Sequence, residues 1–274
     1  MSRIFYSGQF IRVESQQNGV KKILLNRPQV KNAFHAQMIE ELSQTFISLA
    51  KISDENDMRL LILEGEGDTF SAGADLNYMK EQAQKPQSEN SRDAHKLGRM
   101  FYQLASFPSP VLCAVKGAAM GGALGLTVCA DYVLCNDKAV FATSEVLLGL
   151  VPGTISPHII RKLGVAHASF FMLSGNKMGA QEALNVGLVN EVSSDENFAL
   201  SLERVVGQFL MAGPLAARKT KELIRHCSPL PSQELFEFCA DQISLARSTQ
   251  EAQNGLSAFF EKKTPYWRDF IKKD

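Results

Sequence analysis

Short apolar runs alternate with stretches of helical period up to about residue 196, and beyond Asn197 the chain reads almost wholly helical. Phe10–Glu14 and Val20–Leu25 read as two strands of a hairpin turned at Asn18-Gly19, with Asn26-Arg27-Pro28 ending the second. Met38, Ile39, Leu42, Phe46, Ile47 and Leu49 recur at helical spacing and predict a helix over His35–Leu49. Met58–Leu63 follows as a buried strand, and Asp75–Gln84 as a helix. The polar stretch Gln84–Ser91 holds Pro86 and predicts a mobile loop before a helix over Arg92–Leu104.

Val111–Val115, Asp131–Cys135 and Val140–Thr143 read as strands, with a helix over Gly121–Cys129 between the first two. Ser156-Pro157 predicts a helix start, serine capping and proline in the first turn. Ala180–Val186 reads as a helix and Leu188–Val192 as a strand. Gly213-Pro214 and Ser228–Pro231 break the late helices. Alternation first and helices last predict an α/β core over residues 1–196 and an α-helical C-terminal region over 197–274.

The length of 274 residues suits one large core with a smaller appendage. Lys+Arg and Asp+Glu balance at 29 each, so no global field draws the chain to nucleic acid or a membrane surface. A local basic patch for a phosphate-bearing ligand stays open. The five cysteines are scattered, with no CxxC or Cys/His ligand spacing. That predicts buried reduced thiols, no metal site and a reducing compartment. No apolar run approaches the roughly 20 residues that span a bilayer, and the expected location is cytoplasmic.

Two glycine-rich junctions follow strand-like runs: Ser71-Ala72-Gly73-Ala74-Asp75, and Gly117 through Gly121-Gly122 to Gly125. Small residues let a ligand approach main chain, and amides at a helix start point outward unpaired. Two such amides meeting at one point would make an oxyanion hole. Glu145, followed by apolar residues, is a carboxylate able to act as a base there once burial raises its pKa. The plainer roles are weighed with these. Gly121-Gly122 could serve helix packing, and Asp75 could cap the helix that follows. His158 reads as structural, Phe259-Phe260 as interface core and Lys262-Lys263 as a solvated end. His35, His95, His167 and His226 lack partner spacing. No Gly-x-Gly-x-x-Gly occurs in the second junction, which excludes a dinucleotide fingerprint there.

These residues resemble the crotonase (enoyl-CoA hydratase/isomerase) superfamily along nearly the whole chain. The likeness is carried by Leu25-Asn26-Arg27-Pro28 with Asn32-Ala33-Phe34, Phe70 through Leu76, Val115-Lys116-Gly117 through Gly122, Ala130-Asp131, Glu145 through Pro152, and Ala183 through Val189. Ser144 through His158 is most similar to bacterial 3-methylglutaconyl-CoA hydratase-like members. The resemblance implies a ββα spiral core with a C-terminal α-helical trimerisation region, assembled as a homotrimer or a hexamer (a dimer of trimers). It implies an acyl-CoA thioester substrate, with coenzyme A part of that substrate and no separate cofactor.

By the same resemblance, the N–H groups of Ala74 and Gly122 would hold the thioester oxygen, with Glu145 as acid/base. Ala72, Asp75, Leu76, Asn77 and Gly121 would cradle the ligand. Phe259 and Lys262 stand where a neighbouring subunit's tail touches it in this family. One departure concerns the reaction. Family hydratases usually carry a first glutamate where this chain has Gly125. Hydration of a 2-enoyl-CoA is the expectation, with Δ3-Δ2-enoyl-CoA isomerisation by the lone Glu145 as the alternative. A non-catalytic acyl-CoA-binding protein is a third reading. The pocket walls are expected from the Glu81–Asn90 loop and the late helices.

Overall fold

The structure is a computed structural model describing residues 3–16 and 18–268, with the side chains of Arg3 and Ile4 outside that description. Three strands open the chain, β1 (Arg3–Ser7), β2 (Ile11–Ser15) and β3 (Val20–Leu25), followed by α1 (Ala36–Ala50) and β4 (Leu60–Gly65). Helices α2 (Leu76–Gln84) and α3 (Gln87–Ala105) lead to β5 (Val111–Val115), β6 (Ala118–Met120) and α4 (Gly122–Cys129). Next come β7 (Tyr132–Asn136), β8 (Val140–Ala142), α5 (Ser156–Ser174), β9 (Met178–Gly179), α6 (Ala180–Asn185) and β10 (Glu191–Ser193). Four helices close the chain: α7 (Phe198–Met211), α8 (Pro214–Cys227), α9 (Gln233–Arg247) and α10 (Gln250–Phe260).

A seven-stranded sheet runs in the order β1-β2-β3-β4-β5-β7-β10, antiparallel across β1, β2 and β3 and parallel from β3 onward. A three-stranded sheet, β6-β8-β9, stands apart from it. Alternation along the strands assigns the faces. Leu61 and Leu63 of β4, with Val111, Cys113 and Val115 of β5, enter the main core beside α1, α3 and α4. Leu60, Ile62, Leu112 and Ala114 point the other way, where Phe198 and Val205 of α7 cover them. Both faces of the parallel strands are therefore buried, as their near-continuous apolar sequences require.

Several expectations change. The loop over Gln84–Ser91 is only a break at Lys85-Pro86, because extended Pro86 leads straight into α3 at Gln87. Ser156 is the first residue of α5 and not its cap. Ile155 holds the N-cap position, and the Ser156 hydroxyl donates back to the carbonyl of Pro152 at 2.5 Å. A short 3-10 helix over Gly153–Ile155 runs directly into α5 and takes the place a capping serine would have needed. Gly164, at φ 70°, bends α5 into two segments. The strand read over Leu188–Val192 pairs only at Glu191–Ser193, against β7. The cysteines also divide: Cys113, Cys129 and Cys135 are buried, Cys239 is half-buried and Cys227 is exposed. Residues 269–274 of the expected C-terminal region lie outside the described residues.

Candidate active site

Asn32, fully buried, pins the first half of the site. Its Nδ2 donates to the carbonyls of Glu66 and Thr69, and its Oδ1 accepts from the N–H of Arg27, each at 2.9 Å. The Asn32 carbonyl accepts from Ser71 Oγ at 2.8 Å, and that hydroxyl accepts from the N–H of Gly73 at 3.1 Å. The chain can then turn at Gly73 with φ 88°, where a Cβ would stand 2.6 Å from the carbonyl oxygen of Met120. Only glycine combines that dihedral with so close an approach.

The two glycine junctions lie side by side. Ser71 bridges Ala119 in parallel, its N–H donating to Ala118 and its carbonyl accepting from Met120. Gly121, at φ 51°, ends β6 and starts α4. Neither the N–H of Ala74 nor that of Gly122 has a hydrogen-bond acceptor among the described residues. Both residues border a cavity of about 390 Å³. Unpaired amides at a helix start, beside a second unpaired amide, suit an incoming anionic oxygen.

Glu145 opens a short 3-10 helix over Glu145–Leu148 that faces Gly121. An ideal Cβ on Gly121 would stand 3.2 Å from Glu145 Oε1, so glycine keeps that approach clear. Glu145 Oε2 is shut off from solvent and has no hydrogen-bond partner among the described residues. Burial raises the carboxyl pKa to about 7, against a smaller lowering by its own backbone N–H. Among the described residues Glu145 is the only acid bordering the cavity. Such a carboxyl can take up or release a proton near neutral pH.

Gly125 lies one turn into α4, and its surroundings are apolar. A Cβ there would stand 2.5 Å from Ile155 Cγ2 and 2.6 Å from Phe101 Cζ. Phe101 is fully buried and Ile155 nearly so. The volume a first glutamate would need is already filled.

Of the residues singled out from the sequence, Ala72, Ala74, Leu76, Gly121, Gly122, Glu145 and Phe259 border the cavity. Asp75, Asn77 and Lys262 do not. Asp75 caps α2 through the N–H groups of Asn77 and Tyr78 and pairs with Arg27 Nη2 at 2.9 Å. Burial alone would raise the Asp75 carboxyl, but Arg27 and the two N–H groups hold it below its ordinary value. Asn77 is exposed at the helix start, where capping consumes its N–H. Lys262, at φ 55°, closes α10 through its N–H to the Phe259 carbonyl, and Lys263 borders the cavity instead.

His158 is buried and stands off the cavity. Burial and the nearby Arg161 lower its pKa to about 4, so it stays neutral. The expected wall from the Glu81–Asn90 loop is instead the helical face of α2, with Tyr78, Met79, Gln82 and Ala83. Ile243 and Arg247 of α9 and Leu256 of α10 complete it from the same chain.

Sequence reasoning missed Gln82, Arg247 and the polar chain that joins Arg247 to Tyr78. Tyr78 Oη donates to Asp93, and Asp93 Oδ2 pairs with Arg247 Nη1 at 3.3 Å. Arg247 also donates to Asn90 Oδ1 at 3.2 Å. A polar glutamine on the otherwise apolar face of α2 was the one available signal. α10 abuts the segment that carries Glu145. Gly149, at φ 70°, would place a Cβ 2.9 Å from the Ala252 nitrogen, and Gly255 would place one 2.3 Å from the Leu148 carbonyl oxygen. Two glycines thus allow main chain to meet main chain.

Among the described residues no cluster of His, Cys, Asp or Glu could hold a metal ion, and no helix is long and apolar enough to cross a membrane. The sequence profile of the family "Enoyl-CoA hydratase/isomerase" matches residues 15–270. Crotonyl-CoA hydratase of Syntrophomonas wolfei is 30% identical over 92% of this chain and 94% of its own length. Carnitinyl-CoA dehydratase of Escherichia coli K12 is 30% identical over 93% of this chain and 97% of its own. The crystal structure of an enoyl-CoA hydratase from Shewanella pealeana superposes with a TM-score of 0.76 at 33% identity, covering 94% of this chain and 96% of that one. With that geometry and that coverage, the chain belongs to the enoyl-CoA hydratase/isomerase, or crotonase, family.

Proposed function

We propose that this enzyme adds water across the double bond of a 2-enoyl-CoA thioester, with Glu145 as its single acid/base. The observation that carries the reading is the Glu145 carboxyl, its Oε2 shut off from solvent and unpaired, bordering one cavity with two unpaired N–H groups. The thioester oxygen accepts from Ala74 and Gly122, and negative charge builds on it as water attacks the β-carbon. Each such donor is worth about 3–4 kcal/mol of transition-state stabilisation. Ionised Glu145 takes a proton from the attacking water, then returns a proton to the α-carbon of the enolate. A carboxyl with a pKa of about 7 can do both. The names of the relatives, a crotonyl-CoA hydratase and a carnitinyl-CoA dehydratase, support hydration over other outcomes.

The filled space at Gly125 favours a second reading, Δ3-Δ2-enoyl-CoA isomerisation. One base suffices there, removing a proton from the α-carbon and returning it to the γ-carbon. Purified enzyme in 18O-labelled water separates the two. Hydration gives a 3-hydroxyacyl-CoA carrying the label, whereas isomerisation moves the double bond and incorporates none. Inertness toward a panel of 2-enoyl- and 3-enoyl-CoAs would leave only a non-catalytic acyl-CoA binder.

Self-association into a trimer or a dimer of trimers fits the apolar side chains Val165, Phe170 and Leu173 of α5 and Leu223 and Ile224 of α8, all exposed on the single chain. Sedimentation equilibrium tests it. A reducing cytoplasm fits the five free cysteines.

A further inference from the structure

Gln82 is 4% exposed, borders the cavity, and its Oε1 has no hydrogen-bond partner among the described residues. Its side-chain nitrogen makes no hydrogen bond to them either but, unlike Oε1, is not sealed off, so the NH2 is the part of the amide that a ligand in the cavity can reach. A buried amide in that state is destabilising unless something in the cavity satisfies it. Its neighbours do not fill the need with protein atoms. Tyr78, one turn earlier on the same face of α2, gives its hydroxyl proton to Asp93. Asp93 holds Nη1 of Arg247, and the Nε and Nη2 of Arg247 make no hydrogen bond to the described residues. The cavity is therefore bordered by an unpaired amide and by a guanidinium with donors to spare. Met79, Ala83, Ile243 and Leu256, which also border it, are apolar.

We infer that Gln82 is a specificity residue for the acyl group, and that the preferred acyl chain carries an oxygen function hydrogen-bonded to the Gln82 amide. This rests on the acyl-CoA reading above and deepens it. A hydroxyl or a carboxylate supplies the shared chemistry. A carboxylate or hydroxyl oxygen accepts from the amide NH2 as it stands, and a hydroxyl donates to the amide oxygen once the amide turns over. A plain hydrocarbon chain satisfies neither group and leaves the amide buried and unpaired.

Binding of unreactive saturated thioesters tests this apart from turnover. Pentanoyl-CoA, 5-hydroxypentanoyl-CoA and glutaryl-CoA are titrated calorimetrically into the wild type and Gln82→Leu. Wild type should bind at least one oxygenated thioester about tenfold more tightly than pentanoyl-CoA, the worth of one good hydrogen bond. Gln82→Leu should erase that preference while holding or improving affinity for pentanoyl-CoA. Whether the hydroxyl or the carboxylate arm leads identifies the oxygen source. Tighter or equal binding of pentanoyl-CoA by the wild type overturns the inference, as does a preference that survives Gln82→Leu. Should that variant fail to fold, Gln82→Met replaces it under the same two outcomes. Intact preference with no turnover of any enoyl-CoA would instead sink the catalytic reading and leave this one standing.

Discussion

Phe101 occupies the space that any side chain at Gly125 would enter, its Cζ 2.6 Å from where a Cβ would stand. A second acid therefore cannot be restored by one substitution. Gly125→Glu should destabilise the protein by about 2–4 kcal/mol through overpacking and a buried carboxyl. It should lower turnover rather than raise it. Gly125→Glu combined with Phe101→Ala should recover part of the stability. Urea melts of the three proteins, read beside their turnover, check the coupling.

Glu145→Gln should cut turnover by about 10²- to 10⁴-fold while ligand affinity changes little. In the wild type kcat/KM should rise with pH around a midpoint near 7, since the ionised carboxyl is the base. The limb should vanish in the variant. A profile with no inflection between pH 6 and 8 in the wild type would remove Glu145 from the role.

The same carboxyl sets a stability trend. Its folded pKa of about 7 lies above its ordinary value because burial favours the neutral form. The stability supplied by neutral Glu145 is complete below the unfolded carboxyl range and is lost as pH rises through about 7. Glu145→Gln keeps a neutral group throughout, so its advantage over the wild type should grow between pH 5 and 8. Thermal melts across that range measure it, and a gap that narrows would contradict the assignment.

Gly73→Ala should lose most activity and about 1–3 kcal/mol of stability. It forces a side chain onto φ 88° and against the Met120 carbonyl. The damage should fall on the orientation of the Ala74 N–H. Affinity for a thioester should therefore drop more than affinity for free coenzyme A.

An ion pair far from the chemistry, with only its lysine buried, gives an asymmetric prediction. Lys221 Nζ meets Asp131 Oδ2 at 2.5 Å and the Ser109 carbonyl at 3.0 Å. Burial pulls the Lys221 pKa down, with Asp131 opposing it. Asp131→Ala strands a buried ammonium and the N–H of Val111, and should cost about 2–4 kcal/mol. Lys221→Met should cost less, because Asp131 keeps that N–H and is half-exposed. Chemical denaturation of both variants gives the order.

Much of this was legible from local pattern. Continuous apolar runs such as Leu60–Leu63 and the glycine junctions locate strands and loops because those signals are short-range. What escaped detection was partly local and partly dependent on residues distant in sequence. Pro86 reads as a loop breaker, yet one extended residue is enough for α3 to restart at Gln87. Ser156 is a fair cap by type, but the 3-10 turn before it had already begun the helix. The apolar filling at Gly125 comes from Phe101 and Ile155, and Arg247 reaches Asp93 across 154 positions. Nothing in the neighbouring residues announces either contact.

The close seating of Gly149 and Gly255 makes the last long helix part of the mounting for the proton-transfer group. Chain removed from Gln250 onward would leave both sheets paired and the two glycine junctions in place, while taking away the surface against which the Glu145 segment rests. Damage to that far end of the polypeptide should therefore silence the chemistry well before it unfolds the protein.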